Sequence, residues 1–387
     1  PWLFDSRVAM MAEEKNFVRR GASARRSGKS SKRENIAEGV MNDGQLDPAD
    51  AARAVQLGQF VSLAYDMYNG APDNPAPNPP PALPFGYVFA AWVQMRDFVF
   101  ESGDLTFYGL IAHSPDGSDV ILAIRGTETA EEWWDDVTSL YPTTWSGPGE
   151  IGYGFSKIYQ TLTVVPYGAM APATAPGPMQ STLPPPPFAK QVADLVARIP
   201  RTGARFKARA EAPGAPPPIN VAGHSLGSAL ATLYVMENVA LDEATVPLLC
   251  TFASPEVGDS DFVAGFAALP NLESWRIVNV LDVVPHLQLA DFVQVQTPYV
   301  YNSGFETLPT PSCWHSLATY LHLLDPNQAI ETGCRFLGGS LAASARRESA
   351  RAALAASAAA ASVAPPAVST VSVSGKTITI TVKIEMP

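Results

Sequence analysis

The sequence has no run of 18 or more apolar residues, so no transmembrane segment is expected. It also lacks a basic excess: 26 Lys and Arg stand against 37 Asp and Glu, a formal net charge of -11. Without an overall positive field to attract phosphates, nucleic acid is not an expected partner. Histidines number five and cysteines three, and none are grouped with metal-ligand spacing. Neither a metal nor any other cofactor is therefore expected. The three thiols, Cys250, Cys313 and Cys334, fit one bridge between Cys313 and Cys334 or three free thiols equally well. Residues 1–11 lack the basic start, apolar stretch and cleavage site of a signal peptide. The chain opens on Pro1 rather than Met, so secretion and cytoplasm both stay open.

What the chain has in excess is proline. Its 36 prolines are too many for core elements and belong mainly in loops, seven of them within residues 71–84. Hydrophobic residues at 47% supply ample material for one large α/β domain. Residues 19–33 carry seven Lys or Arg and no acid, and read as a solvated tail rather than an arm for anionic lipid or nucleic acid. Gly28-Lys29-Ser30 is not a phosphate loop, because the motif's first glycine would fall on Ser23. Three segments are expected: a basic tail over 1–45, a domain over 46–335, and an extension over 336–387 with an Ala-rich helix and a terminal hairpin.

Within the domain, Asp47-Pro48 opens a helical pattern, and residues 88–126 read as a hairpin-rich sheet region with strands near 98–100, 106–112 and 119–124. Helical spacing recurs over 154–165 and 188–199. From residue 219 onward, strands (219–222, 247–252, 274–280) alternate with helices (226–239, 259–269). That alternation predicts right-handed crossovers and an α/β fold with a mostly parallel central sheet.

The stretch Gly223-His224-Ser225-Leu226-Gly227 lies between such a strand and such a helix. A serine in a sharp strand-to-helix turn needs small neighbours, and it stands near a helix N-terminus that favours developing negative charge. The alternative is a glycine-rich turn without chemistry. A nucleophilic serine needs a base and a carboxylate to orient that base. His286, His315 and His322 are the histidines that follow Ser225. Asp282, at the end of the strand pattern 274–280, is the candidate acid, while Asp259 and Asp261 suit a helix start. His315, expected where a loop enters a helix, is preferred as base over His322, which suits a surface or capping role. His286 suits a pocket wall or the surface.

Taken together, these blocks resemble the class 3 lipases, the fungal-lipase-like group of α/β hydrolases that includes plant acylhydrolases and some feruloyl esterases. The likeness rests on Ile124-Arg125-Gly126-Thr127, Ala222 through Gly227, Thr251 through Gly258, Arg276 through Pro285, and His315 through Leu321. It spans about residues 88–325. The resemblance implies an α/β-hydrolase fold with a lid, a catalytic triad of Ser225, Asp282 and His315, and an oxyanion hole from Thr127 and the backbone N–H of Leu226. It places the lid over residues 128–145, where Trp133 and Trp134 stand among acidic residues. A surface helix packing those tryptophans on the core is the competing reading. Glu256 and Gly152 depart from residues common in the family.

The implied activity is carboxylic ester hydrolysis through an acyl-enzyme, with triacylglycerol as the favoured substrate and transient contact with a lipid surface. A short-chain or feruloyl-type esterase and a phospholipase are the alternatives within the class. A catalytically silent scaffold for partner binding is the alternative outside it. Oligomeric state is left open.

Overall fold

The structure is a computed structural model, described for residues 44–96, 104–127, 141–170, 185–202, 218–241, 243–287, 291–304, 306–336, 368–373 and 376–381. Helix α1 (Pro48–Gly70) starts where capping chemistry dictates: Asp47 accepts from the amides of Ala49 and Asp50, and Pro48 fills the first position. Strands β1 (Val88–Arg96), β2 (Leu105–His113) and β3 (Val120–Ile124) form an antiparallel meander. A small ribbon, β4 (Pro142–Thr144) with β5 (Glu150–Gly152), leads into α2 (Tyr153–Tyr159). Then come β6 (Thr163–Pro166) and α3 (Phe188–Val196).

The crossover half follows: β7 (Asn220–His224), α4 (Leu226–Leu241), β8 (Leu248–Phe252), α5 (Ser260–Ala267), β9 (Glu273–Asn279) and β10 (Tyr299–Tyr301). Helices α6 (Pro311–His315) and α7 (Leu317–Leu324) follow, and β11 (Val368–Val373) pairs with β12 (Lys376–Thr381) as a separate hairpin.

The main sheet has eight strands in the order β10-β9-β8-β7-β3-β2-β1-β6. Pairs from β10 to β3 are parallel, and those from β3 to β6 antiparallel. Both faces are covered, which explains why β3 is apolar at every position instead of alternating. Val120, Leu122 and Ile124 join the cluster under α2, α3, α4 and α5. Ile121 and Ala123 join the cluster under α1 and α7. With parallel strands and a helix on each side, the crevice for a ligand forms beyond the strand C-termini, and β7 and β9 both end there. No helix among the described residues is long and apolar enough to cross a membrane.

Several expectations are corrected. The helix expected over 154–165 stops at Tyr159, and Thr163–Pro166 is a strand paired with β1. Apolar spacing at Phe155, Ile158, Tyr159 and Leu162 imitates another helical turn. The β-branched run Thr163-Val164-Val165 instead takes the open edge of β1. Pro142–Thr144, inside the expected lid, is a strand, and Trp145 packs on Phe262 with ring centroids 5.6 Å apart. Residues 128–140 of that segment, including Trp133 and Trp134, lie outside the described residues, as do the tail over 1–43, the strand near 98–100 and the Ala-rich helix. Cys313 and Cys334 form a disulfide, while Cys250 is a buried free thiol.

Candidate active site

The turn between β7 and α4 places Ser225 at φ 56°, in the left-handed region that side chains other than glycine rarely adopt. Two bonds fix it there. The Ser225 amide donates to the Phe252 carbonyl at 2.9 Å, and its own carbonyl accepts from Ser228 N–H at 2.9 Å. Close packing demands the glycine on the helix side: a Cβ on Gly227 would sit 2.3 Å from the Ile124 carbonyl oxygen and 2.5 Å from that of Arg125. Leu226 opens α4, and the leading amides of a helix have no acceptor within it.

His315 closes helix α6, at the kink before α7, rather than opening a helix as expected. Its Nε2 lies 2.8 Å from Ser225 Oγ, and its Nδ1 lies 2.8 Å from Asp282 Oδ2. Asp282 is 1% exposed, and this burial is compensated by three donors in all. Tyr320 Oη donates to Oδ2 at 2.7 Å and Val284 N–H to Oδ1 at 3.0 Å, alongside the imidazole. Burial, with Asp282 adding to it, pushes the Tyr320 phenol well above its ordinary range, so it stays a donor.

Asn279, at the last position of β9, ties the two loops together. Its amide nitrogen donates to Ser303 Oγ and to the Trp314 carbonyl, both at 3.0 Å, and its backbone N–H donates to Tyr320 Oη at 3.2 Å. The disulfide from Cys313 to Cys334 pins α6 two residues before His315.

On the other side of Ser225 lies the segment after β3. Arg125 is buried between the rings of Tyr68 and Tyr108, its guanidinium carbon 3.6 and 4.5 Å from their centroids. It donates to the Phe107 carbonyl at 3.0 Å and to the Gly126 carbonyl at 2.7 Å, which fixes the backbone entering Thr127. A Cβ built on Gly126 would fall 2.9 Å from Ser225 Cβ, so this segment passes directly beside the serine. Thr127, next in the chain, is half-buried.

Of the residues singled out from sequence, Ser225, His315 and Asp282 are thus hydrogen-bonded in series, with Leu226 and the approach to Thr127 alongside. His322 is remote from that series: it bonds the Gln328 carbonyl at 2.7 Å and pairs with Glu306 at 3.2 Å. His286 is half-buried and lowered by burial, with its Nε2 enclosed and unbonded among the described residues. Asp259 caps α5. Sequence reasoning missed Tyr65, Tyr320, Asn279 and the role of His224. Each acts through contacts 24 to 159 residues away, for which no local pattern gives a signal.

A serine forced into a left-handed strand-to-helix turn, beneath the C-terminal edge of a parallel sheet with helices on both faces, defines an α/β hydrolase. Residues 121–292 match the sequence model of the family described as Lipase (class 3).

The chain is 29% identical over 300 residues to phospholipase A1-II 3 of Oryza sativa subsp. indica, covering 68% of this chain and 61% of that protein. It is 35% identical over 122 residues to phospholipase A1-IIgamma of Arabidopsis thaliana, covering 27% and 28%. The matches thus span about three-fifths or less of the length of these curated relatives. Among solved structures, it is similar to the native Rhizomucor miehei lipase–propeptide complex, with TM-score 0.45 and 17% identity over 74% of this chain and 83% of that one.

Proposed function

We propose that this chain hydrolyses carboxylic esters of lipids through a covalent acyl-serine. The observation that carries this reading is the pair of 2.8 Å contacts that His315 makes, Nε2 to Ser225 Oγ and Nδ1 to Asp282 Oδ2. A carboxylate only accepts, so Asp282 fixes the imidazole proton on Nδ1 and leaves Nε2 free to take the hydroxyl proton. As Ser225 Oγ attacks the ester carbonyl, His315 becomes an imidazolium stabilised by the buried carboxylate. The tetrahedral oxygen is held by Leu226 N–H and by Thr127, each donor contributing about 3 kcal/mol of transition-state stabilisation. His315 then protonates the departing alcohol, and water repeats the sequence on the acyl-enzyme.

Sequence reasoning favours triacylglycerol as substrate. The relatives named phospholipase A1 favour a glycerophospholipid instead, and this second reading is the one we carry forward. A fluorophosphonate probe tests the chemistry: it should label the intact protein and leave Ser225→Ala unlabelled. No labelling of intact protein would favour the silent scaffold. Fatty acid release from phosphatidylcholine vesicles and from emulsified trioctanoin, measured side by side, tests the substrate. Faster release from the emulsion, per labelled site, overturns the phospholipid reading and leaves the ester hydrolase standing.

A further inference from the structure

Two side chains next to the reacting groups have no part in those proton transfers. His224 precedes Ser225 and is buried, with its ring centroid 4.8 Å from that of His315. Tyr65 reaches it from α1. Three hydrogen bonds run through them in line: Gly126 N–H donates to Tyr65 Oη at 2.7 Å, Tyr65 Oη lies 2.8 Å from His224 Nδ1, and His224 Nε2 lies 2.8 Å from the His315 carbonyl oxygen.

The direction of each bond follows from what each atom can do. A carbonyl oxygen only accepts, so Nε2 of His224 carries a proton. Burial, with His315 adding to it, drives the His224 imidazole well below its ordinary range, so the ring is neutral and Nδ1 accepts. Tyr65 must then donate its one proton to Nδ1, and its lone pair is free for Gly126 N–H. Burial also raises the Tyr65 phenol, which keeps that proton in place. An imidazolium at 224 would instead be a second desolvated cation beside the one that His315 forms during turnover.

The chain of bonds therefore starts at the residue before Thr127 and ends on the backbone of His315 itself. These are the two sides between which Ser225 stands. We propose that Tyr65 and His224 are positioning residues, a tie of fixed length that sets the separation between the base and the oxyanion-binding segment. The inference rests on the ester-hydrolase reading above. Neither side chain touches the proton in flight. They act by holding His315 and Gly126 where a displacement of about an ångström costs a hundredfold in rate.

The test compares Tyr65→Phe, His224→Gln and the double variant with intact protein on a soluble p-nitrophenyl ester. Activity is expressed per fluorophosphonate-titrated serine, with thermal midpoints measured in parallel. Tyr65→Phe is expected to lower kcat at least about tenfold with KM within about twofold, because the tie serves the transition state. The double variant should be no slower than the worse single variant, since either change cuts the same line.

A purely structural role would lower the thermal midpoint and the number of titratable sites while leaving kcat per site unchanged. That result overturns the proposal, as do losses that multiply in the double variant. If His224→Gln does not fold, Tyr65→Phe, which deletes one oxygen, decides alone. Intact protein that neither takes the probe nor turns over the ester overturns the hydrolase reading and this inference with it. Active parent with unchanged Tyr65→Phe removes the inference only.

Discussion

Replacing Asp282 with asparagine keeps the size of the side chain but breaks the match of donors and acceptors around it. The carboxylate receives three hydrogens: from His315 Nδ1 and Tyr320 Oη on Oδ2, and from Val284 N–H on Oδ1. An amide has one oxygen. If that oxygen stays on Val284, the NH2 group faces His315, and the imidazole must move its proton to Nε2, where it blocks proton transfer from Ser225. If the amide flips, a buried backbone N–H faces another donor, at about 1–3 kcal/mol.

The first arrangement keeps the fold and abolishes the base. The expected loss in kcat is about 10⁴-fold, the size seen when a serine hydrolase base is held in the wrong tautomer, or about 5.4 kcal/mol at 1.36 kcal/mol per decade. The assay is kcat on a soluble p-nitrophenyl ester, normalised to folded protein by urea titration. Activity within about tenfold of the parent would refute the reasoning, because it would mean that the carboxylate does not set the proton position.

Gly227→Ala should destabilise the fold by about 3 kcal/mol in urea unfolding and abolish ester turnover, because the added methyl meets backbone oxygens at the end of β3 that cannot swing away. An unchanged midpoint would mean that the elbow relaxes freely. Removing both cysteines of the Cys313–Cys334 bridge, whose members are 21 residues apart, should cost about 3 kcal/mol of loop-closure stabilisation. Because α6 carries His315, kcat should fall as well, and a loss below about 1 kcal/mol would count against the estimate.

Stability should also depend on pH. His224 is held neutral in the folded chain, below its ordinary range, whereas the unfolded chain binds the proton near pH 6.5. Stability should therefore fall as pH drops below about 6.5, by up to about 1.4 kcal/mol per pH unit, with half-buried His286 contributing in the same direction. His224→Gln should flatten that slope in urea titrations between about pH 7 and pH 5, and an unchanged slope would show that His224 does not contribute.

The parallel half of the fold was legible because each of its elements carries its own signal. Apolar strands alternate with helices from residue 219, and the elbow is local, five residues between a strand and a helix. The choice of Asp282 followed from its place at a strand end. Chain order left three histidines, and His315 was preferred as the one expected where a loop enters a helix, although it closes α6 instead. The structure puts both in line with Ser225.

What escaped was non-local. Strand β6 looked helical because its apolar residues continue the spacing of α2, and only the free edge of β1 makes it a strand. Ribbon β4–β5 depends on partners a hundred residues on, with Gly152 N–H bonded to the Val257 carbonyl and Asp259 N–H to that of Glu150. Tyr65, Asn279 and Tyr320 act by reaching across the fold, and a side chain's reach is invisible before the chain is closed.

On the ester-hydrolase reading, durability and turnover pull in opposite directions at position 225. A backbone turned to φ 56° suits glycine and penalises every side chain by roughly 1–2 kcal/mol. Serine there is a standing tax on the fold, tolerated because it lifts the hydroxyl clear of its own strand. A lineage released from ester turnover should drift to glycine at this place and grow sturdier as it falls silent.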